Sequence, residues 1–122
     1  MRDTDVVFEY LRVRMGTLPY ELFAVLLLDN HCKLIRYEEM FRGTLTCVSV
    51  HPREIAKQVL AHNAAAVILV HNHPSGNADV SHADEFLTEA ISRALALFEV
   101  RVHDHLIVTA DGYTSMAKKG LV

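Results

Sequence analysis

Seven consecutive apolar residues, Leu22-Phe23-Ala24-Val25-Leu26-Leu27-Leu28, follow the single acid Glu21 with no polar position among them. A run of strand length without alternation suits a strand covered on both faces, so it predicts an interior strand. Ala64 to Val70 predicts a second buried strand, which delivers the chain to His71. Elsewhere the period changes to that of a helix. Val6, Val7, Tyr10, Leu11 and Met15 recur at three and four, predicting an amphipathic helix from Asp3 to about Arg14 that ends near Gly16. Ile55, Ala56, Val59 and Leu60 mark a helical face opened by His51-Pro52 and closed at Asn63. The strongest helical signal is Ala83, Phe86, Leu87, Ala90, Ile91, Ala94, Leu95 and Phe98. Between these lie a turn at Asp29-Asn30, a more exposed strand from Lys33 to Phe41 that carries Glu38-Glu39, and a break at Gly43. Thr44 to Val50 alternates β-branched residues and predicts a further strand, as does Glu99 to Thr109. Asp111-Gly112 is a hairpin signal before Tyr113-Thr114-Ser115, and the tail from Met116 to Val122 predicts a short helical turn.

Strands and helices thus alternate without a repeat, a low-complexity tract or a linker. They are expected to share one core in a single domain over residues 1–122, of α/β or α+β class, with a mixed sheet flanked by helices. The composition agrees, since 122 residues with 51% hydrophobic and 22% charged positions suffice to bury a core. A net charge of -3 gives no attraction to phosphates, so nucleic-acid binding is not expected of this domain. The longest apolar run, seven residues, is too short to span a bilayer, and Met-Arg-Asp-Thr-Asp is no signal peptide, so a cytoplasmic protein without a membrane segment is expected. Cys32 and Cys47 form no close pair and are read as reduced packing residues, a disulfide or an auxiliary metal contact being the alternative. The eight histidines are the unusual feature.

They matter most in HNHPSGNADVSHAD, residues 71 to 84. On an extended segment His71 and His73 point to the same side, and two imidazoles held so can share a metal ion. Asp84 begins the strong helix on the stripe of Leu87 and Ile91, so its carboxylate faces inward and needs a partner. Two neutral histidines and one carboxylate would leave a fourth tetrahedral position for water, as in a catalytic rather than a structural zinc site. A plainer reading competes. Ser81-x-x-Asp84 is also a helix start, with Ser81 as N-cap and Asp84 in the first turn, and a lone H-x-H in a loop is often incidental. The two features stand at opposite ends of one loop shaped by Pro74 and Gly76, which favours a shared site.

The spacing of His71, His73, Ser81 and Asp84 resembles the JAMM motif of the JAB/MPN metalloprotease superfamily. With FRGTLT before it and RVHDHLIV after it, the stretch looks like the C-terminal domain of bacterial RadC-like proteins, over nearly the whole chain. The resemblance implies a JAB/MPN-type α/β fold, a cytidine-deaminase-like three-layer arrangement, with a zinc ion held by His71, His73 and Asp84. It further implies a glutamate on an early strand as general acid/base. PYELFAVLL resembles the strand that carries it, which makes Glu21 the candidate, and Glu21 is also the one acid at the head of the early buried run. Glu38 and Glu39 are its rivals on a more exposed strand. Ser81 would help to stabilise a tetrahedral intermediate. The implied activity is peptide or isopeptide hydrolysis of a peptide or protein substrate, without a covalent intermediate.

Other chemistries fit less well, because neither the H-x-E with P-C-x-x-C of zinc deaminases nor an H-E-x-x-H helix is present. A second H-x-H, His103-Asp104-His105, lies in an apolar strand and is read as structural, with a supporting contact to the site from Asp104 or His105 as the alternative. His31, His51, His62 and His82 are read as surface or cap residues. The JAMM proteases usually carry Ser or Thr between the two histidines, whereas this chain carries Asn72, as its RadC-like relatives do. RadC-like proteins are commonly labelled DNA repair factors, and the helix-hairpin-helix region that usually precedes the domain is not among these 122 residues. The competing function is therefore a non-catalytic, zinc-containing binding module in a repair-associated protein.

Overall fold

A computed structural model of the chain describes residues 4–43 and 50–122. Its elements run α1 (Thr4–Met15), β1 (Leu22–Leu28), β2 (Leu34–Arg42), α2 (Pro52–Ala61), β3 (Ala66–Asn72), α3 (His82–Ala96), β4 (Arg101–Val108) and β5 (Tyr113–Ser115). The strands form one mixed sheet in the order β2-β1-β3-β4-β5. β1 is antiparallel to both β2 and β3, β3 and β4 are parallel with α3 as the crossover, and β5 returns antiparallel on β4.

The unbroken apolar runs have the expected cause, since both faces of the sheet are covered. Alternate residues of β1 go to opposite cores. Phe23, Val25 and Leu27 pack with Val67 and Leu69 against Ile55 and Val59 of α2 and Leu87, Ile91 and Leu95 of α3. Leu22, Leu26 and Leu28 pack with Ile68 and Val70 against Val7, Leu11 and Met15 of α1. The result is the expected arrangement of three layers, with α1 on one side of the sheet and α2 and α3 on the other.

Three boundaries differ from expectation. β3 continues through His71 and Asn72 because both still pair with β4, opposite Ile107 and Val108. The buried seam of α3 is Asp84, Leu87, Thr88, Ile91 and Leu95, whereas Phe86 and Phe98, assigned to the apolar stripe, are 62% and 46% exposed. The tail from Met116 forms successive turns, such as Lys119 N–H to Met116 C=O at 3.1 Å, rather than a helix. The strand expected over Thr44 to Val50 falls outside the described residues, apart from Val50, which is buried in the α2/α3 core. Cys47 also lies outside them, while Cys32 is half-buried with its Sγ 3.7 Å from His103 Nε2.

Candidate metal centre

The sheet register positions the first candidate ligand. His71 pairs with Phe23 of β1, and alternation turns its ring to the α3 side, where it is 1% exposed. The chain then leaves β1 but stays with β4, as His73 N–H donates to Val108 C=O at 3.0 Å. His73 therefore follows His71 on the same side, and their Nε2 atoms lie 2.8 Å apart. The third group comes from the first turn of α3, where Asp84 Oδ1 lies 3.1 Å from His71 Nε2. One ligating atom from each of His71, His73 and Asp84 lies within 4.8 Å of the others, the arrangement a metal ion needs.

The two readings of Ser81-x-x-Asp84 turn out to be compatible. Ser81 is the N-cap, its Oγ accepting from Asp84 N–H at 3.1 Å, while Ser81 N–H donates to Asp84 Oδ2 at 2.8 Å in a complete capping box. One carboxylate oxygen caps the helix and the other faces the histidines. Burial pushes the Asp84 carboxyl pKa up, but the hydrogen bond and charge of His71 and the bonds from Ser81 outweigh it, holding the group well below the usual carboxylate range.

Hydrogen bonds behind the histidines determine which nitrogens carry protons. Thr88 sits one turn after Asp84, and its hydroxyl donates to Asp84 C=O at 2.7 Å. Its single proton is thereby committed, so Thr88 Oγ1 accepts from His105 Nδ1–H at 2.5 Å. His105 Nε2 is then an acceptor, and His71 Nδ1–H donates to it at 2.8 Å. His73 Nδ1–H donates to the carbonyl of Asn77 at 2.6 Å. This order of bonds points both Nε2 atoms and an anionic Asp84 oxygen at one centre, where a metal ion would take their lone pairs; without one, His71 Nε2 lies within hydrogen-bond distance of Asp84 Oδ1 and His73 Nε2. Three such groups converging in a largely buried space could hold a cation. A proton bridges two such atoms at a time, whereas a divalent ion satisfies all three, and two imidazole nitrogens with one carboxylate suit zinc. Burial drives the His105 pKa well below the usual histidine value, and the charges of His71 and His73 push it the same way against Asp84, so it stays neutral as this chain of bonds requires.

Glu21 is the residue immediately before β1 and two before Phe23, the partner of His71; alternation continued past the strand end would turn it to the face that carries the histidines. Its carbonyl accepts from Gly43 N–H at 2.9 Å. The rivals stand farther along: Glu38 and Glu39 pair with Val25 and Ala24 on the edge strand, where Glu38 meets Arg36 and Glu39 meets the Tyr37 hydroxyl at 3.4 Å.

A family model described as RadC-like JAB domain matches residues 1–121. The chain belongs to the RadC-like JAB family. Among its relatives are UPF0758 proteins of Leptothrix cholodnii, 56% identical over 118 residues, and Variovorax paradoxus, 55% identical over 116 residues. A third, from Nitrosococcus oceani, is 51% identical over 123 residues. The matches cover 97%, 95% and 100% of this chain but 53%, 52% and 54% of the relatives, so the chain spans about half their length.

Within the RadC-like JAB domain, Thr88 escaped the reading of the sequence, and His105 entered it only as an alternative. Thr88 carries a visible signal, being a polar residue four positions after Asp84 in an otherwise apolar seam. His105 stood only as an alternative beside Asp104, because nothing in HDH separates it from its neighbours. Those neighbours have other tasks. Asp104 accepts from His105 N–H at 2.7 Å, Ser115 Oγ–H at 2.5 Å and Ala117 N–H at 3.0 Å, which fastens the C-terminal turn. His103 stands beside Cys32. The remaining histidines are peripheral: His31, His51 and His82 are exposed, and half-buried His62 bonds Gln58 C=O at 3.0 Å at the end of α2. Among the described residues no helix is long and apolar enough to cross a membrane.

Proposed function

We propose that this domain is a zinc-dependent hydrolase of peptide or isopeptide bonds, with His71, His73 and Asp84 as metal ligands, Glu21 as general acid/base and Ser81 as oxyanion donor. The observation that carries the reading is the convergence of two imidazole nitrogens and a carboxylate oxygen at one point. A zinc ion held there would act as a Lewis acid, polarising a substrate carbonyl and making a water molecule more acidic. Glu21, on the histidine face at the head of β1, would take the proton of the attacking water and return it to the leaving amine. Ser81 Oγ accepts from Asp84 N–H, which leaves the hydroxyl proton to donate to a developing oxyanion. The ligand set leaves room for a fourth group, and His73 and Ser81 are less buried than His71 and Asp84, so the cluster opens on the side from which a substrate would come.

The substrate class we propose is a peptide or protein, since a net charge of -3 offers phosphates no attraction. The test is turnover of a peptide and isopeptide library by zinc-loaded protein, compared with Glu21→Ala. The variant should keep its zinc and lose roughly 10² to 10⁴ in rate. Unchanged turnover in Glu21→Ala would remove the glutamate from the mechanism. A zinc-loaded wild type that cleaves none of the library, yet binds DNA in a salt-dependent way unaffected by Asp84→Ala, would favour the non-catalytic binding module.

A further inference from the structure

Asn72, between the two histidines, is 1% exposed and points away from them. Alternation puts it on the α1 face of the sheet, opposite the metal cluster. Its carboxamide nevertheless reaches the start of β1. Asn72 Oδ1 accepts from Leu22 N–H at 2.6 Å, and Asn72 Nδ2 donates to Tyr20 C=O at 2.9 Å. These two backbone groups flank Glu21. The glutamate's own carbonyl is held by Gly43 N–H at 2.9 Å, so three successive backbone groups around Glu21 are tied down.

The need for such a clamp follows from the path of β3. Beyond His71 its backbone runs with β4, as the bond from His73 N–H to Val108 C=O shows, and the paired register with β1 stops at Phe23 and His71. Without a bridge, the segment carrying Glu21 would be held on the β2 side alone, by the pairing of Leu22 with Arg42 and the bond from Gly43 N–H, and would be open on the β3 side. A side chain with one acceptor and one donor on a single rigid plane replaces both missing ladder bonds, and among short side chains only asparagine offers that pair.

We propose that Asn72 is the positioning residue for Glu21: its carboxamide grips the peptide groups on either side of the glutamate and ties it to the strand end that bears both histidine ligands. The inference rests on the acid/base role proposed for Glu21. It gives Asn72 a task separate from metal binding, since Asn72 contributes no atom to the ligand cluster.

The probe is acetohydroxamate, titrated into cobalt(II)-loaded protein and followed by the visible absorption of the metal. A hydroxamic acid that binds a metal as its anion gives up a proton, and a carboxylate in the right place accepts it, so affinity reports where Glu21 stands. Glu21→Gln should weaken binding about tenfold or more, Asn72→Ala should do so to a similar degree, and the double variant should be no weaker than Glu21→Gln alone. All three should hold one cobalt per chain. Equal affinity in wild type and Asn72→Ala beside a weakened Glu21→Gln would overturn the clamp alone, as would additive losses or loss of metal from Asn72→Ala. Wild-type affinity in Glu21→Gln would overturn the role of Glu21, and the clamp with it. A measurement that needs no variant is amide hydrogen exchange at Leu22 in the wild type. Slow exchange is expected, and the rapid exchange of an open strand end would overturn the proposal.

Discussion

Asp84 shows how much one side chain can serve. Its Oδ2 closes the capping box with Ser81, and its Oδ1 faces His71. Asp84→Asn keeps an acceptor for the cap and should fold normally, yet lose metal affinity by more than the roughly 10- to 100-fold typical of a residue that only supports a ligand; competition with a chelator checks this. Ser81→Ala removes the cap and should cost about 1 kcal/mol in chemical denaturation. Thr88→Val leaves buried His105 Nδ1–H without its acceptor, which should cost roughly 1 to 3 kcal/mol and weaken metal binding 10- to 100-fold. His105 also predicts a pH effect. Its folded pKa lies below its ordinary value of 6.5, so the unfolded chain takes up the proton first. Its contribution to stability is therefore complete above about pH 6.5 and lost as the pH falls below it. Asp84, also lowered, adds a loss in the same direction at more acidic pH. Denaturation of the metal-free protein should show stability falling from pH 7.5 to pH 5, and His105→Gln should flatten that slope. The cluster of His71, His73 and Asp84 was legible at this scale because their spacing is a motif. The proton order was not, since it depends on Thr88 and Asn77 meeting histidines through folds of the chain that no local pattern records.

At the scale of elements, the sequence revealed β1, β3 and α3 because each is long and strongly periodic, and the cores on the two faces confirm why. It misjudged ends and seams. The apolar run stops at Val70, but β3 ends where pairing with β4 ends, two residues later. In α3, hydrophobicity pointed to Phe86, whereas the buried seam takes polar Thr88, whose hydroxyl is satisfied there by Asp84 C=O and His105 Nδ1. The site consequently depends on α3 being docked, and Ile91, which is fully buried in the α2/α3 core, is the test. Ile91→Ala should cost about 2 to 5 kcal/mol of stability while the folded fraction still binds one metal ion. Loss of metal without loss of stability would mean that α3 docks by some means other than this core.

For the whole molecule, the candidate ion would join β3, the loop after it and α3, segments otherwise held by packing on either side of the crossover. A ligand that binds only the folded state stabilises it by about 2.7 kcal/mol at a hundred times its dissociation constant. Excess zinc should therefore raise the melting temperature of the wild type by on the order of 10 °C and leave that of Asp84→Asn nearly unchanged. The most direct test of the account is metal content by mass spectrometry of purified wild type, His71→Ala and Asp84→Asn after incubation with zinc and removal of excess. About one zinc per chain in the wild type, lost in both variants, is the predicted result. A wild type without zinc, or zinc retained equally by the variants, would contradict it and leave the three groups as a strand end and a helix cap.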